Sequence, residues 1–118
     1  MLRLPRTPIG IRPIPVDDSR QERLNVHFPV SFTGDANGNG TVRNLSPSGC
    51  KIESDALVHD DMLLVLRLSI PNEPAVVLVD VAAVRWATPG FFGVQFLALQ
   101  EGARHCINRL LEMLSAPS

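Results

Sequence analysis

The sequence predicts a mainly β protein: six strands closing into a small antiparallel barrel or folded sheet, with one C-terminal α-helix covering an opening. Three observations carry that expectation. Short runs alternate apolar and polar residues, the period of a strand with one buried face. Gly, Pro, Asn and Asp recur between those runs as turn residues. Only in the last segment does the period lengthen to that of an amphipathic helix.

Residues 1–18 read as a proline-punctuated arm, because Pro5, Pro8, Pro13 and Pro15 fix φ and favour extended backbone over helix. Residues 19–118 read as the barrel domain. In LNVHFPVSF, Leu24, Val26, Phe28, Val30 and Phe32 alternate with Asn25, His27, Pro29 and Ser31, which makes a first strand. Pro29 cannot donate to a ladder, so that strand is expected at an edge or locally unpaired there. GDANGNG follows, with Asn37-Gly38 as the expected hairpin tip. A second strand runs from about Gly40 to Leu45 and a third from Cys50 to Ser54. MLLVLRLSI, AVVLVDVAAVRWA and FFGVQFLAL supply the other three, the last with Phe92, Val94 and Phe96 on one face. In the helix, Ala103, Cys106, Ile107, Leu110, Leu111 and Leu114 share a stripe, with Glu101, Arg104, Asn108, Arg109 and Glu112 elsewhere.

A chain of 118 residues with 45% apolar residues has the length and composition of one domain with a modest core. Its net charge of −1 provides no global attraction for nucleic acid or an anionic bilayer, so any anion site must be local. Cys50 and Cys106 lack metal-ligand spacing and fall on core-facing positions, as expected of buried free thiols in a reducing compartment. No apolar run reaches the roughly 18 residues of a membrane span. The prolines of the arm interrupt any signal-peptide segment, so the expected location is the cytoplasm.

Catalysis has little support. His27, His59 and His105 are scattered over a strand, a loop and the helix, and no HExxH, GxSxG, CxxC or phosphate-binding glycine loop occurs. Asp60-Asp61 lacks the alternating oxygen ligands of a calcium loop, so no metal or cofactor is expected. A single-stranded nucleic-acid barrel fits poorly too, since aromatics are 5% and tyrosine is absent.

Binding chemistry concentrates in NLSPSG, residues 44–49. Asn44 offers donors and acceptors, Ser46 and Ser48 offer hydroxyls, and Gly49 permits an approach that a side chain would block. Two readings are open: a tight connection whose side chains bond their own backbone, or a turn that reads the edge of a planar heterocycle. Arg20 and Arg23 lie in the segment leading into the first strand. Guanidinium forks bind phosphate bidentately and match the O6 and N7 acceptors of guanine. Asp17, Asp18 and Glu22 equally allow an ordinary surface charge cluster. Trp86 is expected to pack in the barrel, the alternative being an edge offered to a base.

In order and spacing, the arginine-bearing segment, FPV, NxSxxG, VAAVRWA, FFGVQFLAL and the amphipathic helix resemble the PilZ domain over roughly residues 19–115. The resemblance implies a six-stranded barrel with a C-terminal helix that acts as a bacterial receptor for cyclic di-GMP. It assigns guanine contact to Asn44, Ser46 and Gly49, with Ser48 in the same turn. An RxxxR motif before the first strand would wrap over the ligand and be pulled onto the barrel. Here the spacing departs: Arg23 takes the second place, Ser19 stands where the first arginine belongs, and Arg20 is one residue late. The expected partners are therefore cyclic di-GMP and an effector protein. The alternative is an adaptor of the same fold that acts on pilus or flagellar machinery with weak or no nucleotide binding.

Overall fold

A computed structural model of the chain describes residues 23–115. The expected arm, Ser19 and Arg20 lie outside the described residues. Six strands occur in chain order, β1 (Leu24–Gly34), β2 (Gly38–Ser46), β3 (Gly49–Glu53), β4 (Leu63–Leu68), β5 (Val77–Thr88) and β6 (Phe91–Ala98), followed by helix α1 (Glu101–Ser115). They close into an antiparallel barrel in the order β1-β2-β3-β6-β5-β4.

Alternation in the sequence becomes the inside of this barrel. Phe28, Val30 and Phe32 of β1 meet Val42, Ile52, Leu66, Val79, Val84 and Phe92 in a single buried cluster. Phe32 and Phe92 pack edge to face with ring centroids 5.4 Å apart, the arrangement that the ring quadrupoles favour. Each such side chain contributes ~1.5–3 kcal/mol by leaving water. Ile107 and Leu111 of α1 complete the cluster.

Closure leaves β1 without a free edge, so Pro29 is accommodated by local unpairing rather than by an edge position. It stands opposite Thr41 on β2, and its carbonyl accepts from the Ser69 N–H at 3.0 Å, just past the end of β4. Its missing N–H therefore points to where the β1–β4 ladder stops.

Three other sequence expectations shift. Gly38 already pairs with Phe32, so the connection is 35–37, ahead of the expected Asn37-Gly38 tip; Asn37 Oδ1 accepts from Gly34 N there. Cys50 is fully buried, whereas Cys106 is only half-buried and its thiol lies 3.5 Å from Glu73 Oε1. Leu114 is 49% exposed, because the last turn of α1 extends past the barrel mouth that Ile107 and Leu111 cover.

Candidate functional site

NLSPSG forms a two-residue hairpin. Ser46 pairs with Gly49, and Pro47-Ser48 make the turn between β2 and β3. The buried Ser46 hydroxyl accepts from the Ser48 N–H and donates to the Gly49 carbonyl, both at 3.3 Å, so it holds the turn's shape. The Ser48 carbonyl in turn accepts from Phe96 N–H at 2.8 Å, which ties the turn to β6. Gly49 is needed for close approach: a Cβ there would overlap the carbonyl oxygen of Val94. Within this hairpin Ser46 follows the tight-connection reading.

Asn44 behaves differently. Its Oδ1 accepts from Arg23 Nη1 at 3.1 Å, across 21 residues of sequence. Register slips between Val42 and Asn44 on the β3 side, leaving Arg43 as an extra residue. That bulge turns both Arg43 and Asn44 away from the core, while Val42 and Leu45 on either side are buried.

A second bulge lies in β5, across β3 and β6 from the first. β5 pairs Val84 with Val94 and Trp86 with Gly93, so Arg85 is the additional residue. Arg85 and Trp86 consequently both point outward, although simple alternation would bury one of them. Trp86 thus departs from the packed role expected of it. It is 38% exposed and lies across Gly93, where any Cβ would collide with the indole. Asn25, Asn44, Lys51, Gly93 and Trp86 are successive register partners, which sets them in one row over the outer surface.

Arg23, Ser46, Ser48, Gly49, Arg85 and Trp86 line a cavity of about 170 Å³, completed by β6 residues including Gln95. That is below the ~300–1,000 Å³ typical of a whole small-molecule site, so it suits one ring system of a larger ligand. Asn44 lies just outside it, in a neighbouring depression with Asn25, His27, Arg43, Lys51 and Phe91. Among the described residues, no carboxylate lines either concavity. Lys51 Nζ sits 4.7 Å from the centre of the Phe91 ring, a cation held by an aromatic face. Beneath the site, burial pushes the Cys50 thiol up to about 12, against the opposing pull of the Arg23 charge. That thiol is neutral and inert at physiological pH.

The structure therefore brings Arg23 together with Asn44, and Arg23 together with Ser46, Ser48 and Gly49 around the cavity. Arg20 lies outside the described residues. Sequence reasoning missed Arg85 and Gln95 and did not select Trp86. A strand bulge carries no compositional mark, and the one available signal was Gly93, a gap in the strand opposite Trp86. Among the described residues, no group of three His, Cys, Asp or Glu side chains is placed to hold a metal ion.

The strands thus form a closed barrel with a cationic cleft on its outer rim, lined by no carboxylate among the described residues. Its family is specific: the PilZ domain family profile matches residues 17–113, and the chain belongs to that family. The fold is similar to the structure of Bacillus subtilis inhibitor of motility, MotI/DgrA, with a TM-score of 0.66 at 15% identity. That alignment covers 86% of this chain and 54% of the other, so the chain spans about half the length of that protein. No curated protein matches the chain by sequence. No helix among the described residues is long and apolar enough to cross a membrane.

Proposed function

We propose that the protein is a cytoplasmic receptor for cyclic di-GMP that acts by binding and not by catalysis. The observation that carries this reading is the 3.1 Å bond from Arg23 to Asn44, which joins the arginine segment to the polar turn. In this reading Arg23 binds the ligand's phosphates and a guanine edge, and Arg20, one residue out of register, adds a weaker leader contact. Asn44 and the Ser46–Gly49 hairpin read guanine, and the Trp86 indole offers a face for stacking. Binding draws the leader ahead of β1 against the rim and changes the surface offered to an effector protein.

Calorimetric titration with cyclic di-GMP tests it. Arg23→Ala removes a charged hydrogen-bond donor worth ~1.5–3 kcal/mol, so affinity falls roughly 10- to 150-fold. Ser46→Ala weakens binding by loosening the hairpin. No heat at high micromolar dinucleotide overturns the reading.

A second reading, an adaptor that works through protein contacts alone, draws support from Ser19 standing where the first arginine belongs. Its partner class is then motility machinery, pilus or flagellar, in keeping with the fold's similarity to a protein described as an inhibitor of motility. Capture of a flagellar partner with equal yield in the presence and absence of nucleotide favours it.

A further inference from the structure

Most arginines of the barrel with a side-chain partner are already committed. Arg43 pairs with Glu53 and Arg109 with Glu73, while Arg67 donates to Thr33. Arg85 differs from these in its partner. Its Nε donates to Gln95 Oε1 at 2.8 Å, and among the described residues no carboxylate pairs with it. A bond at Nε fixes the plane of the guanidinium and leaves both terminal amino groups, the two prongs of the fork, for another acceptor. Those prongs belong to a residue that lines the same cavity as Arg23.

Gln95 is itself held. It lies on β6 between Gly49 of β3 and Ala83 of β5, so the backbone that carries the amide is anchored on both sides by the barrel. The bulge that places Arg85 beside Trp86 adds a charge next to a stacking surface.

Resting on the receptor reading, we infer that Arg85, positioned by Gln95, is the second guanidinium of the clamp and takes over the part of the misplaced leader arginine. A cyclic dinucleotide carries two phosphates, and two cations on a cleft that no described carboxylate lines match it. Arg23 approaches from the start of β1 and Arg85 from β5, so they address the ligand from different sides of the cleft. Arg85 is already oriented by the barrel, and therefore loses less rotamer freedom on binding than an arginine carried by the leader. The ligand class this favours is a phosphodiester with a planar base; a neutral heterocycle gains nothing from a second guanidinium.

The experiment is titration of cyclic di-GMP into the full chain and into Arg85→Ala, Arg20→Ala, Gln95→Ala and the Arg85→Ala/Gln95→Ala pair. Thermal melts confirm that each variant is folded. Arg85→Ala is expected to weaken binding by at least about tenfold, and Arg20→Ala by only about threefold. Gln95→Ala costs about threefold alone and nothing more once Arg85 is gone, the coupling that separates positioning from direct contact. Arg85→Lys keeps the charge without the fork and recovers only part of the loss. Wild-type binding with Arg85→Ala within twofold, or with Arg20→Ala the weaker of the two, overturns the inference and leaves the receptor reading intact. Failure of the wild-type chain to bind overturns both.

Discussion

Gly93→Ala is the sharpest perturbation of the rim. A Cβ on Gly93 overlaps Trp86 Nε1 and lies 2.5 Å from Cε2 and 2.9 Å from Cδ1, far inside van der Waals contact. Strand backbone at this position is ordinary, so the indole moves and the barrel does not. Trp86 is 38% exposed, so it hides roughly 150 Å² of ring. At ~25 cal/mol/Å² that burial amounts to nearly 4 kcal/mol, and lifting one face off Gly93 gives up about half, ~2 kcal/mol. At roughly 4 °C per kcal/mol for a chain of this length, the melting temperature falls by ~8 °C.

Trp86 is the sole tryptophan, so fluorescence reads this directly. The emission maximum shifts to the red in Gly93→Ala, and on the receptor reading cyclic di-GMP binding weakens because the indole proposed to stack on a base is displaced. Unchanged emission and an unchanged melting temperature would refute the placement of the indole on Gly93. Gly102→Ala is the matched control: a Cβ there meets nothing within 4 Å, and alanine inside a helix adds ~0.5–1 kcal/mol of stability.

Gly49→Ala forces β3 from β6 at the Val94 carbonyl, and circular dichroism melts show a larger loss than for Gly93→Ala, since backbone must move where a side chain could swing. In thiol labelling at pH 8, Cys106 reacts in the folded protein and Cys50 only on unfolding, because Cys50 is fully buried. Burial raises the folded Cys50 pKa from 9.0 to about 12, so its contribution to stability is complete below pH 9 and lost as pH rises towards 12. Cys50→Ala flattens that alkaline limb of a stability–pH curve. Glu73 has the opposite sign: its bonds to Arg109 and Cys106 hold its carboxyl below the ordinary value, so the clamp between the 71–76 loop and α1 weakens as pH falls below about 4. Glu73→Gln makes acid melts less pH-dependent; an unaltered acid limb would show that the clamp is not titrating.

Periodicity made the barrel legible because burial on one face of a strand leaves a mark at every second residue. Phe28, Val30 and Phe32, or Phe92, Val94 and Phe96, could hardly be read otherwise, and all are buried. The same rule misplaced Trp86, since one inserted residue at Arg85 reverses the parity of everything after it. The polar turn was visible in composition, but its use was not: Ser46 bonds its own hairpin while Asn44 reaches Arg23. Only the family pattern linked residues 21 positions apart in sequence.

The interior explains why the site is built from such irregularities. Val42, Leu45, Cys50, Ile52, Leu66, Val79 and Val84 are all 0% exposed, so this narrow barrel is filled by its own side chains and offers a ligand no room inside. On the receptor reading, recognition takes place on the outside of a closed sheet, a convex surface with no natural hollow. A bulge at Arg43, another at Arg85 and a missing side chain at Gly93 are the local means by which a ladder makes a hollow and turns adjacent residues to the same side. Each of them weakens regular pairing, and each lies beside the turn that Ser46 braces and β6 ties down. The departures from ideal strand geometry and the cationic cleft are thus one feature, and a change that regularised either bulge would flatten the site while leaving the core intact.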